Sequence, residues 1–125
     1  MKTIPAVANI SDAMGQLGLK FQTMHSRVRP VFTPIYLSGH AYTVQCYPGA
    51  TWAVEEAIEK AKPGEVLVVN GENYAGAVLM GELMSGRAAK RGIAGAVIDG
   101  AVRDTVTQWK FASRKLNPIV PLLAR

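Results

Sequence analysis

Cysteine is almost absent from this chain of 125 residues: Cys46 stands alone, so no disulfide can close within it. It falls in an alternating, strand-like stretch, where an unpaired thiol reads as a small buried apolar group. Long apolar runs are missing too. None approaches the roughly 20 residues that a helix needs to cross a bilayer. The first residues lack the charged, apolar and small-residue layout of a signal peptide. The expectation is therefore a cytoplasmic protein without membrane contact.

Acidic residues are in deficit, 9 against 14 basic ones, for a formal charge of +5. That balance favours acidic partners such as carboxylate or phosphate ligands. The basic residues are scattered in pairs, Arg27/Arg29, Lys90/Arg91 and Arg114/Lys115, so no dense block reads as a nucleic-acid arm. Several catalytic signatures are absent. There is no Gly-x-Ser-x-Gly, and "GENYAG" lacks the Gly-Lys-Ser/Thr ending of a triphosphate loop. His25 and His40 do not have the i,i+4 spacing of a helical zinc site, and His40 reads as structural. Internal repeats and low-complexity segments are also missing.

What remains is a globular composition, 49% apolar and only 18% charged, which is enough for one core. A single domain over residues 1–125 is expected. "ANISDAMGQLG" suggests a short helix with Ser11 as its N-cap and Gly15 and Gly18 limiting its length. Pro30 and Pro34 confine the following stretch to an edge or the surface. "YLSGHAYTVQCY", 36 to 47, alternates as a strand with a kink at Gly39; Ala41, Thr43, Gln45 and Tyr47 point one way, and Tyr42, Val44 and Cys46 the other. Ala53, Val54, Ala57, Ile58 and Ala61 recur at helical spacing up to Pro63-Gly64.

"EVLVVNG" then reads as a buried strand, followed by a glycine-rich loop over 70–76 and a helix with an ill-defined start. "IAGAVID" is the next buried strand, 105–112 a short helix, and "NPIVPLLAR" an extended end. Trp52 and Trp109 are assigned to helices as core or interface residues. From residue 50 the order is helix, strand, helix, strand, helix, strand, which calls for α/β architecture with a parallel crossover. Ligands in such sheets bind beyond the carboxyl ends of strands, here the loops 70–76 and 99–104.

Arg103-Asp104 follows the second buried strand. Arginine offers a planar fork for a carboxylate, and aspartate is a hard oxygen ligand for Mg²⁺ or Mn²⁺. Adjacent loop residues need not pair with each other, yet a surface ion pair capping 105–112 is an equally open reading. Glu82, at the start of "GELM", is either a helix-surface acid or a neighbour of an anion site built from backbone N–H groups.

"ISDAMG", "SGHAYTVQC", "KPGEVLVVNG", "MGELMSGRAAKRGIAGAVIDGAVRD" and "NPIVPLLAR" together resemble, in order, blocks of the RraA-like family. That family contains the regulator of ribonuclease E activity A and the class II 4-hydroxy-4-methyl-2-oxoglutarate aldolases. Its aldolase branch has an acid, twenty residues, then Arg-Asp; Glu82 and Arg103-Asp104 match that layout. The resemblance implies a swivelling β/β/α-type α/β domain assembled as a homotrimer or hexamer. It implies that Asp104 and Glu82 serve a divalent metal, Mg²⁺ or Mn²⁺, with Asp104 as ligand. Arg103 and the backbone N–H groups of Leu83 and Met84 would bind a small-molecule 2-oxo acid, and Arg103 and Asp104 would be catalytic. The implied reaction is cleavage to pyruvate, with oxaloacetate decarboxylation as a side activity. The other branch implies a non-catalytic regulator that binds ribonuclease E or another protein.

Three departures accompany the match. Aldolases of the family usually carry aspartate where Glu82 stands, and regulators glycine. Thr107 replaces the acid that ends the regulators' Arg-Asp-x-x-acid pattern. Family chains generally continue past "NPIVPLLAR" into further strands, and a neighbouring subunit supplies an acid from that later region, so either a shortened homologue or a fragment of a longer gene product is expected here. A methyltransferase role finds no support, since no strand followed by a Gly-x-Gly loop is evident.

Overall fold

Alternation of helices with apolar strands builds a five-stranded sheet in the computed structural model, which describes residues 5–32 and 35–104 and the backbone of 121–124. The elements run α1 (Val7–Gln16), β1 (Val28–Pro30), β2 (Ala41–Gln45), α2 (Thr51–Lys60), β3 (Val66–Met80), α3 (Glu82–Lys90), β4 (Gly95–Val102) and β5 (Pro121–Ala124). Strand order is β1-β5-β4-β3-β2. β2, β3, β4 and β5 pair in parallel, and β1 pairs antiparallel with β5. The expected α/β class and the edge placement of the Pro30 stretch are both observed.

The core lies between the sheet and α2 and α3. Leu67, Val69, Ala96 and Ile98 point from β3 and β4 into it, and Val54, Ala57, Ile58 and Ala88 meet them from the helices. α2 forms because its apolar residues share one face while Glu55, Glu56, Glu59 and Lys60 face outward. α3 ends in a Schellman arrangement: Gly92 N–H donates to Ala89 O, and Ile93 N–H to Ala88 O. Gly92 takes φ 77° there, a left-handed conformation that favours glycine. Cys46 is buried at the end of β2, and burial pushes its thiol pKa up, in keeping with an inert apolar role.

The opposite face of the sheet is more polar. Thr43, Val68 and Val97 form one cross-strand rung, and Gln45, Asn70 and Asp99 the next. Arg27 lies over the second rung and holds Asp99 through both guanidinium branches, at 3.0 and 2.7 Å. Asn70 donates to Gln45 at 2.9 Å, and Gln45 donates in turn to Glu72 at 3.2 Å.

Three expectations need correction. The first helix starts at Val7, so Ser11 lies inside it; Ala6 is the N-cap and makes no side-chain cap bond. The first long strand is confined to Ala41–Gln45, because Gly39 bends against the Gly64 carbonyl, where a Cβ would come within 2.5 Å. Residues 71–80 are strand, not loop and helix, since β4 supplies a partner for that segment. Trp52 sits in α2 as expected; its exposure excludes the core alternative and leaves the interface one. The 105–112 helix, Thr107 and Trp109 lie outside the described residues.

β3 is an unusual strand. Its register with β4 holds from Val66↔Gly95 to Asn70↔Asp99, then resumes at Tyr74↔Gly100, Val78↔Ala101 and Met80↔Val102. The excess residues form a wide bulge, in which Glu72 and Asn73 take left-handed backbone conformations. Glu72 N–H donates to the Asn70 side chain at 3.1 Å, which helps hold the first of these turns.

Candidate functional site

Pairing of Met80 with Val102 brings the carboxyl ends of β3 and β4 together. Gly81 leaves β3 and begins α3, while Arg103-Asp104 leaves β4 directly beside it. Arg103 N–H donates to Met80 O at 3.1 Å, which fixes the second exit against the first. Glycine suits this closeness. A Cβ there would lie 3.1 Å from both Arg103 Nε and Asp104 Oδ2.

α3 is anchored by Gly81, whose carbonyl accepts from Ser85 N–H at 3.0 Å and from the buried Ser85 hydroxyl at 2.9 Å. The Glu82, Leu83 and Met84 amides therefore precede the first intrahelical bond and face the helix's positive end. The Asp104 carboxylate occupies part of that end. Its Oδ2 accepts from Glu82 N–H at 3.3 Å and lies 3.3 Å from Arg103 Nε. Asp104 holds a φ of 60°, uncommon for a residue with a side chain.

Arg103 and Asp104 thus do pair, so the surface ion-pair reading is correct as geometry. The side chains are 69% and 40% exposed, however, and a pair so open to water contributes at most about 1 kcal/mol. A ligand carboxylate can displace it at little cost.

Around these groups opens a cleft of about 1080 Å³ lined by all five residues singled out in the sequence, Glu82, Leu83, Met84, Arg103 and Asp104. Val78, Leu79 and Met80 of β3 form its apolar part. Placement beyond the carboxyl ends of parallel strands agrees with the expectation, although loop 70–76 lies within β3. Leu83 is exposed, so its contribution is confined to its backbone, while the Met84 side chain packs on the core.

The carboxylates of the cleft that could hold a cation at this end are Asp104 and Glu82, both hard oxygen donors. They fit Mg²⁺ or Mn²⁺, ions held through one or two carboxylates with several retained waters. Among the described residues no cluster of three or more His, Cys, Asp or Glu side chains provides a fuller cage.

Sequence reasoning missed the far wall of the cleft, formed by Thr51 and Glu55 of α2 and by Gly86, Arg87 and Lys90 of α3. The signal was present in the i,i+4 spacing of Thr51 with Glu55 and of Glu82, Gly86 and Lys90. Recognising it required knowing that α2 and α3 lie side by side. Glu59 joins them, accepting from Arg87 at 2.7 Å and meeting Arg91 at 3.2 Å.

A family model described as RraA-like: Aldolase/RraA matches residues 7–113. A protein of Halalkalibacterium halodurans provisionally named 4-hydroxy-4-methyl-2-oxoglutarate aldolase is 36% identical over 116 residues, covering 93% of this chain and 50% of that protein. Streptomyces coelicolor RraAS2, described as an unusual member of the RNase ES inhibitor RraA protein family, superposes with a TM-score of 0.75 at 26% identity. That match covers 94% of this chain and 58% of the other. The RNA-processing inhibitor RraA from Thermus thermophilis shares the fold, with a TM-score of 0.71 at 24% identity over 98% of this chain and 66% of its own. The chain spans about half the length of the curated relatives it matches.

Proposed function

The chain belongs to the RraA-like family, and from that premise we propose that it is a divalent-metal-dependent class II aldolase and decarboxylase. Its substrates are 4-hydroxy-2-oxo acids of the 4-hydroxy-4-methyl-2-oxoglutarate type, cleaved to pyruvate, together with oxaloacetate. The observation that carries this reading is the convergence of Glu82, the first α3 amides, Arg103 and Asp104 on one cleft.

In this reading Arg103 leaves Asp104 and takes the carboxylate of the 2-oxo acid, a charge-assisted contact stronger than the exposed pair it replaces. The amides of Leu83 and Met84 add donors aimed at the same anionic end. Asp104, whose carboxylate accepts from Glu82 N–H, and Glu82 itself would hold Mg²⁺ or Mn²⁺, which when bound would supply Lewis-acid stabilisation of developing negative charge. In the retro-aldol step the C4 hydroxyl would lose its proton to a water molecule and become the carbonyl of the departing 2-oxo acid as the C3–C4 bond breaks; with oxaloacetate the same bond would release CO2. The bonding pair would pass into the C2–C3 enolate of pyruvate, and C3 would then take up a proton. Arg103 is placed to stabilise the negative charge as it develops. The apolar floor from Val78 to Met80 lowers the local polarity and strengthens these interactions.

The proposed protein is one RraA-like domain, cytoplasmic, assembled as a homotrimer or hexamer. Among the described residues no helix is long and apolar enough to cross a membrane.

A second reading, a non-catalytic regulator that binds a ribonuclease, is favoured by the likeness to RraAS2. Pyruvate release from oxaloacetate, with and without Mg²⁺ or Mn²⁺, separates the two. Arg103→Ala and Asp104→Ala are each expected to lower kcat/KM by about 100-fold or more. Equal rates in wild type and both variants sink the enzyme reading.

A further inference from the structure

The cleft extends well beyond the Arg103-Asp104 end. Glu82 and Lys90 both line it and stand eight residues apart on α3, about 12 Å along the helix axis. The basic residues near that far end are not equivalent. Arg87 and Arg91 are committed to Glu59 of α2. Lys90 is exposed, lines the cleft, and among the described residues has no ion-pair or hydrogen-bond partner. Thr51 and Glu55 face the cleft from α2 and supply a hydroxyl and a second charge.

We infer that Lys90 is a specificity-determining residue that receives a second carboxylate on the substrate, at the end remote from Arg103. This rests on the 2-oxo acid reading of the same cleft. The two cations then sit toward opposite ends of one cavity, with the apolar surface of Val78, Met80 and Met84 available to the carbon chain. Such an arrangement selects a dicarboxylate over a monocarboxylate of equal length. Thr51 is placed to donate to the same carboxylate. Glu55 repels excess negative charge, which disfavours a doubly charged phosphate at this end. Lysine suits the task because a compact ammonium on a flexible stem can meet carboxylates at several depths.

Equilibrium binding by calorimetry in Mg²⁺-containing buffer tests the assignment without requiring turnover. The probes are 2-oxoglutarate and 2-oxopentanoate, five-carbon acids whose far carbon is a carboxylate in the first and a methyl group in the second. Wild type is expected to bind the dicarboxylate about five-fold more tightly, the scale of one partly exposed charge pair. Lys90→Gln is expected to abolish the preference while leaving 2-oxopentanoate affinity unchanged. Lys90→Arg should restore it, and Lys20→Gln, which removes a charge outside the cleft, should retain it.

Equal affinities in wild type, a preference that survives in Lys90→Gln, or no binding of either acid overturns the inference. Failure to release pyruvate from oxaloacetate strikes instead at the catalytic reading. A dicarboxylate preference lost in Lys90→Gln would stand regardless.

Discussion

Gly81 shows how much one side chain can disturb this site. Its φ of −133° is open to any residue, so alanine there meets no backbone strain. The obstacle is the pair of 3.1 Å approaches to Arg103 Nε and Asp104 Oδ2. Both neighbours are exposed side-chain atoms and can yield by a few tenths of an ångström. Gly81→Ala is therefore expected to cost less than about 1 kcal/mol of stability while lowering pyruvate release about ten-fold, since misplaced catalytic groups are costly. Thermal unfolding and steady-state rates on the same preparation check both halves. A large loss of stability would show that the glycine serves the fold instead.

The membership of the cleft was partly legible at this scale. Glu82, Arg103 and Asp104 stood out through the family resemblance rather than by residue type and spacing alone, and the fold brings them to one cleft. The Arg103-Asp104 contact was not decidable, because adjacent loop side chains diverge or meet according to backbone angles that sequence leaves open. The left-handed Asp104 turns its carboxylate back toward α3. Arg27 and Asp99, 72 residues apart, could not have been matched from sequence at all.

Among elements, α2 was read almost to the residue, since its apolar stripe and Pro63-Gly64 stop agree with each other. The second half of β3 was misread for an equally physical reason. "GENYAGAVLM" mixes glycines with helix-compatible alanine, leucine and methionine, and only the partner strand β4 decides its conformation. α1 was misplaced because its start lacks a side-chain cap.

The junction between α2 and α3 gives a prediction at this scale. The Arg87 hydrogen bond is the main cause that holds the Glu59 carboxyl below its ordinary value; partial burial opposes it, and the charges of Arg91 and Arg87 reinforce it. A lowered folded value means that this contribution is complete above the ordinary glutamate range and fades as pH falls through the lower folded value. Glu59→Gln should therefore flatten the acid limb of the stability profile and change little below it. Urea midpoints measured across mildly acidic pH test this; parallel profiles for variant and wild type would refute it.

For the molecule as a whole, stability rests on the layer between sheet and helices. Ile98 is fully buried in β4, at the middle of the strand order. Ile98→Ala is expected to lower the unfolding free energy by about 2–5 kcal/mol, through lost burial and the cavity left behind. Denaturant titration checks this, and a loss under about 1 kcal/mol would place the core elsewhere.

The bulge in β3 carries a consequence for how such a sheet can diverge. Paired register is secured on one side by Asn70↔Asp99 and on the other by Met80↔Val102. Residues added or removed between Glu72 and Gly76, which are exposed, change the size of an outward excursion and leave both anchors in phase. Length and character can therefore change in that excursion while the Gly81 and Arg103 exits stay in place. The strand behaves as a hinge point for variation, with the variable part insulated from the invariant geometry by the pairs that flank it.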